Sequence, residues 1–401
     1  MTRWATRWQQ AVIHTNITLI LTLSLLIWGS PFVAKFLRLP IPPVEITLGS
    51  VVAYLGLIGH NQYFNLIAEV GFLYLMFLAG MEVDLKQITK SPKIVIQKSM
   101  LFLFLMVIFS IVFGFIFDLH AIVIISMPLI SIGLLATLSK VYGKEESWIR
   151  LAFIAGVLGE ILSIAALTIF DAATTTGFSV DLVLKIGYLL FFIFTTYILY
   201  KMLHLLFWWF PELKSTLVPK LDTSAQDIRL SMALFFILIA VMLSLELELA
   251  LGAFIAGIAI SAFFHHEKKL EEKMSSLGFG FLVPLFFIHV GASFDLKALP
   301  LEGVVSGALL ITALMIVSRL LAAIVLRGIS GSRDALLIAL SLSMPLTLLV
   351  AVATIGYETK LLDLLTYYQL ILASIFEILI SMTIIKMLQA NKPLTKKEAD
   401  S

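Results

Sequence analysis

The chain has 401 residues, of which 60% are apolar and 13% charged, with a formal net charge of +2 and no cysteine. That composition lies far from the balance of a soluble globular domain. It offers no basic surplus that would point to nucleic acid as a partner, and it excludes a disulfide framework or thiolate chemistry.

Most of the chain falls into apolar stretches near 20 residues, the length that crosses a hydrocarbon core. The pattern predicts an all-α polytopic membrane protein of about thirteen spans. The first two lie near 14–34 and 43–59. A cleaved signal peptide competes for the first, but no clear small-residue cleavage site follows it. The third, near 62–82, carries Glu69 and ends in Gly80-Met-Glu-Val-Asp84-Leu85. The fourth is near 95–117. The fifth, near 120–140, contains Ser126-Met127-Pro128-Leu129, and the sixth, near 149–171, carries Glu160, with Gly156 and Gly159 leaving one face thin enough for backbone or an ion to come close. After a seventh near 180–208 comes the longest polar stretch, about 209–226, with Pro211 and Pro219. It reads as a linker between halves at about 43–208 and 227–388. The eighth and ninth, near 227–244 and 247–264, flank Glu246 and Glu248, which read as an external funnel or a solvated turn. The tenth, near 276–293, holds His289 and runs into Gly291-Ala-Ser-Phe-Asp295-Leu296. The eleventh, near 301–327, buries Arg319 beside Ser318. The twelfth, near 333–356, repeats Ser343-Met344-Pro345-Leu346, and the thirteenth, near 362–388, carries Glu377. Residues 391–401 form a short polar tail.

Cations gather in alternate loops. One set holds Lys35, Lys86, Lys90, Lys93, Lys140, Lys144, Lys214, Lys220, Lys268, Lys269, Lys273, Arg327, Arg333 and the tail lysines, whereas the other holds Lys297 and Lys360. The positive-inside rule puts the first set, and the C-terminus, in the cytoplasm. The expected location is the cell membrane.

Two copies of Ser-Met-Pro-Leu, each followed 34 residues later by Glu-Ile-Leu, indicate a duplication. The two Gly-x-x-apolar-Asp-Leu strings support it. The loop charges orient the copies oppositely, so the repeat is of inverted topology, the symmetry that alternating access uses. Pro128 and Pro345 each lack an N–H and clash with the carbonyl one turn back. Broken backbone survives in a bilayer only where protein buries it or water reaches it. Two broken helices crossing near the midplane would present free carbonyls and half-helix dipoles to an ion. Two ordinary proline kinks are the plainer reading.

An ionisable group at mid-bilayer costs about 2.5–3.5 kcal/mol on insertion scales and is a functional candidate by default. Glu160 is the first candidate for an ion- and proton-binding carboxylate. It can hold a proton or a cation but not both, which couples two opposed fluxes. A structural salt bridge with Arg319 is the other reading. Arg319 stays protonated, so it can compensate charge but not carry a proton. Glu377, the repeat mate of Glu160, reads as a pairing group. Glu69 and Ser163 are possible accessories, and His289 reads as a satisfied polar side chain. His265 and His266 read as a solvated turn. No metal site, phosphate-cradling loop or cofactor motif is present.

Several strings resemble the monovalent cation:proton antiporter-2 family, related to the sodium/hydrogen exchangers. They are Leu39-Pro-Ile-Pro-Pro-Val-Glu45-Ile46 with Gly49, the stretch from Glu69 to Leu85, Leu251-Gly-Ala-Phe-Ile-Ala-Gly257-Ile-Ala-Ile-Ser261, and Pro284-Leu-Phe-Phe-Ile-His-Val-Gly291-Ala-Ser-Phe-Asp295-Leu296. The resemblance implies a thirteen-span NhaA-like fold with crossed, unwound fifth and twelfth helices. It also implies a dimerisation domain beside a moving core, hence a homodimer. It places the ion-binding carboxylate at Glu160, the basic partner at Arg319, and the polar unwound positions at Ser131 and Thr347. In the family an aspartate, preceded by a polar residue, stands where Gly159-Glu160 stands here. One carboxylate with an arginine resembles the electroneutral members. The expected function is exchange of protons for Na⁺ or K⁺ across the bilayer. A transport-inactive sensor or scaffold, and an organic-anion transporter with Arg319 as clamp, are the alternatives.

Overall fold

The computed structural model describes residues 2–175 and 225–390, apart from 38, 40, 59, 60, 84–90, 246, 248, 265–267 and 295, with scattered positions of 184–209. Asp84, Asp295, Glu246, Glu248, His265, His266, nearly all of the linker, and the tail lie outside the described residues.

The described residues are helical and contain no strand. In chain order the helices are α1 (Thr2–Leu37), α2 (Ile41–Tyr54), α3 (Gln62–Met81), α4 (Lys93–Ile116), α5 (Ala121–Ser126), α6 (Gly133–Tyr142) and α7 (Ser147–Thr175). After the linker come α8 (Gln226–Ser244), α9 (Leu249–Phe264), α10 (Lys268–Leu277), α11 (Val283–Ser293), α12 (Val304–Ala322), α13 (Arg327–Ser341), α14 (Leu346–Glu358) and α15 (Leu364–Ala390). Among the described residues, 8 helical stretches are long and apolar enough to cross a membrane, and shorter apolar helices fill gaps between them.

Local chemistry sets the boundaries. Asn61 caps α3 by accepting from the N–H groups of Tyr63 (2.9 Å) and Phe64 (3.3 Å). Asp363 caps α15 by accepting from Thr366 N at 3.1 Å. Gly143, at φ 94°, ends α6 in a conformation that favours glycine. Two stretches differ from the expected spans. The loop expected between the eleventh and twelfth, around Arg327 and Arg333, is helical: a 3₁₀ turn at Ala323–Leu326 leads directly into α13, and Gly331 (φ 79°) supplies the bend. The tenth begins earlier than expected, as α10, and passes into α11 through a π-helical turn at Gly278–Leu282, just before Pro284. Proline's missing N–H favours such a local rewinding.

The helices sort into two groups. In one, α2 packs on α11 and α3 on α9, with α1, α8 and α10 around them. In the other, α12 packs on α15, and α4 to α7 with α13 and α14 complete the body. The groups meet where α3 touches α6 and where α2 touches α15. Inside the first group the helices touch backbone to backbone. A Cβ at Gly80 would run into the carbonyl oxygen of Phe254, and one at Gly257 into that of Phe77. The same reciprocal contact joins Gly49 to Ile288 and Gly291 to Ile46. Small residues that let backbones approach are the usual basis of helix pairing in lipid.

Candidate functional site

The fifth expected span is interrupted at its proline. Helix α5 ends at Ser126, and α6 begins only at Gly133. The Leu129 N–H reaches back to the Ser126 carbonyl and the Ile132 carbonyl accepts from Ala136 N, but the N–H groups of Ile130 and Ile132 and the carbonyl of Leu129 lie outside both helices. A buried backbone group without a partner is costly, so each must find one elsewhere. The N–H of Ile130 donates to Ser163 Oγ at 2.8 Å. The N–H of Ile132 donates to Glu160 Oε2 at 2.7 Å. The carbonyl of Leu129 accepts from an Arg319 Nη at 2.7 Å. Two of these partners lie on α7 and the third on α12.

The glycines of α7 make this approach possible. A Cβ at Gly159 would meet Ile130 Cδ1 at 2.7 Å, and one at Gly156 would meet Ile132 Cγ2 at 2.6 Å. The bare face of α7 is thus where the broken segment lies, as the Gly156-x-x-Gly159 spacing beside Glu160 suggested. Glu160 is 1% exposed. Its carboxylate sits at the N-terminus of α6, where the half-helix dipole favours negative charge. Ser131 lies between the two bonded amides and is buried.

The second interruption separates α13, ending at Ser341, from α14, starting at Leu346. Ser343 Oγ donates to Glu377 Oε1 at 2.7 Å. Arg319 donates to the same oxygen at 3.0 Å and to the carbonyl of Met315 at 3.1 Å. Arg319 and Glu377 are each 0% exposed. Arg319 Nε and Glu377 Oε2 have no hydrogen-bond partner among the described residues. A continuous polar chain therefore runs from Ser343 in the second break, through Glu377 and Arg319, to Leu129 in the first. Helix α14 also packs on α5, and α13 on α6, so each half of one broken helix meets the opposite half of the other.

The candidates divide accordingly. Glu160, Ser163, Ser131, Arg319 and Pro128 converge on the first break, and Glu377 and Pro345 on the second. Thr347 is the second residue of α14, but its side chain lies outside the described residues. Glu69 is on an exposed part of α3. The Nε2 atom of His289 lies 3.0 Å from Asn65 Oδ1, and the two residues line a cavity of about 350 Å³ with Lys297 and Tyr54. The ion pair made by Arg319 is with Glu377, not with Glu160, the carboxylate with which the sequence reading had paired it as an alternative. The equal 34-residue spacings are used differently. Ser343 touches Glu377, whereas Ser126 donates to Val123 O at 2.8 Å and Glu160 turns to the broken backbone. Sequence reasoning missed the backbone amide of Ile132 and the serine of the repeat itself. The repeat had placed Ser343 at the right distance, but spacing alone does not say which side chains meet.

Residues 20–390 match the family of transmembrane sodium/hydrogen exchangers. The chain belongs to that family. The Na⁺/H⁺ antiporter of Enterococcus hirae is 26% identical over 361 residues, which cover 86% of this chain and 89% of that one. The YjbQ protein of Bacillus subtilis is 23% identical over 382 residues, 87% of this chain, but the match spans only 59% of that relative's length. Among solved structures, the sodium proton antiporter MjNhaP1 of Methanocaldococcus jannaschii at pH 8 superposes with a TM-score of 0.65 at 15% identity, covering 96% of this chain and 99% of that one. At that identity the likeness concerns the fold. The exchanger family and the apolar helices together make this a multi-pass membrane protein.

Proposed function

We propose that this exchanger-family protein is a secondary transporter that swaps a proton for a monovalent cation, Na⁺ or K⁺, by alternating access, with Glu160 as the shared site. The observation that carries the proposal is the placement of Glu160, buried against the broken backbone and bonded to the Ile132 amide. Ser131 and Thr347 are the further candidate ligands.

The charge balance makes the exchange electroneutral. Arg319 is held by Glu377 at 3.0 Å, so the pair contributes no net charge. Separating a buried pair leaves an uncompensated ion and is strongly disfavoured. The guanidinium therefore stays where it is, and Glu160 alone changes its cargo. One proton replaces one cation, and the loaded site carries the same charge in both directions.

The reciprocal glycine contacts support an inverted repeat. Gly80 and Gly291 are mates in the repeated Gly-x-x-apolar-Asp-Leu string, and each lies against a carbonyl of its neighbour, Phe254 or Ile46. Each of those carbonyls lies three residues before a glycine, Gly257 or Gly49, that makes the return contact. In this reading the chain has thirteen spans, and the repeat mates, third with tenth, fifth with twelfth and sixth with thirteenth, stand seven spans apart and so run in opposite directions, with crossed broken helices in an NhaA-like arrangement. The group around α12 and α15 moves against the group around α3 and α9, which supplies a homodimer interface in the cell membrane. The C-terminus is cytoplasmic.

Everted vesicles with a pH-sensitive dye test the exchange. Na⁺ or K⁺ should dequench the dye in wild type but not in Glu160→Ala. A potential-sensitive dye should stay silent during the same exchange. No cation-induced dequenching between pH 6 and 9 would favour the transport-inactive reading, and a potential change would defeat electroneutrality.

A further inference from the structure

The two helix groups are tied differently at their two ends. Glu82, at the C-terminal end of α3, is the centre of one tie. Lys144 follows Gly143 at the end of α6, and its Nζ lies 2.9 Å from Glu82 Oε2. The same amine also pairs with Glu271 on α10. Ser139 of α6 donates to Glu82 Oε2 at 3.0 Å. Lys140, also on α6, holds its amine 4.5 Å from the centre of the Phe279 ring in the π-helical turn. Every one of these contacts joins α6 or its exit turn to α3, α10 or the π turn, and so crosses from one group to the other. By contrast, Ser147 bonds to Asp334 within the second group, and Lys273 to Asp227 within the first.

At the far end the described residues show an aromatic tie. Phe64, near the start of α3, packs edge-on against His289 on α11 at 5.1 Å, so the end of α11 lies opposite to Glu82. There Phe294 meets Tyr368 of α15 at 6.5 Å, ring against ring. One face is therefore held by ion pairs around a side chain that is 11% exposed, and the other by an aromatic contact.

We propose that Lys144, with Glu82 and Glu271, is an ion-pair clasp that closes the transport site toward the lysine-rich face, and that it must part for the site to open there. The inference rests on the alternating-access reading given above. Partly exposed ion pairs are individually weak, which suits a contact broken and remade in each cycle. A clasp of this kind biases a two-state element and touches neither proton nor cation. Lys144 is a positioning residue, not a ligand.

The natural absence of cysteine allows a direct test. In Glu82→Cys/Lys144→Cys, a short bifunctional maleimide, its attachment verified by mass spectrometry, should cut cation-driven proton flux at least tenfold. The same reagent should leave each single-cysteine protein unaffected. As a second measurement, Lys144→Gln should lower the KM for cation presented at the lysine-rich face and raise it at the other, by several-fold each, in vesicles of the two orientations. A purely structural loss would not split the KM values in opposite directions. A cross-linked protein with full flux, or a Lys144→Gln protein with both KM values unchanged, overturns the clasp alone. An uncross-linked, wild-type chain without flux overturns the exchanger reading and the clasp together.

Discussion

At the residue scale, two buried glutamates, each 34 residues beyond the serine of a Ser-Met-Pro-Leu string, meet different partners. Glu377 meets a guanidinium and is committed to it. Glu160 meets a backbone amide, a neutral donor that stabilises negative charge without cancelling it. The Gln variants separate the two roles. Glu160→Gln keeps an amide oxygen for the Ile132 N–H, so its thermal stability in detergent should stay within about 1 kcal/mol of wild type, in the range of one neutral hydrogen bond, while flux falls to background. Glu377→Gln leaves Arg319 buried without its counter-charge. It should destabilise the fold by about 3–5 kcal/mol, seen as a large drop in melting temperature. Substituting both members with methionine should recover part of that loss, because an apolar pair carries no desolvation penalty.

At the scale of elements, helix ends and helix contacts can be tested separately. Asp363 is exposed, and its carboxyl is held below the usual carboxylate range by the side chain and amide of Thr366. Because the folded value is depressed, the cap contributes its stability above about pH 4, the ordinary carboxylate value, and loses it as pH falls through the lower folded value. Asp363→Ala should cost about 1 kcal/mol at neutral pH, and the difference from wild type should shrink in strong acid. Thermal unfolding across pH would check it, and a pH-independent difference would defeat the capping account. Gly257→Ala tests the contact between α3 and α9. The new methyl group meets main-chain atoms that cannot turn aside, so a loss of about 1–3 kcal/mol is expected from overpacking. The same substitution at Gly29, which has open space around it, should be nearly silent.

At the scale of the whole molecule, the sequence carried much of the plan. Hydropathy located the apolar helices, because a 20-residue requirement is set by the bilayer and not by neighbours. The repeated Ser-Met-Pro-Leu marked both interruptions, because proline removes an N–H wherever it stands. The bare face of α7 was readable from Gly156 and Gly159. Less legible were the ends of the spans around 268–293 and 323–331, where π and 3₁₀ turns extend helices through stretches that polarity marks as boundaries.

The sequence by itself determined that the chain is a bundle of membrane helices, where two of them break, and which deep carboxylates are available. These follow from local rules: hydrophobic length, the covalent geometry of proline, and the cost of an ion in hydrocarbon. Only the tertiary structure decided how the charges are shared. Arg319 is 58 residues from Glu377 and 190 from Leu129, yet one guanidinium bonds both. No spacing rule spans such distances. The choice is made by packing, because a buried guanidinium must satisfy several donors at once and only the assembled helices bring a carboxylate and a broken carbonyl within its reach.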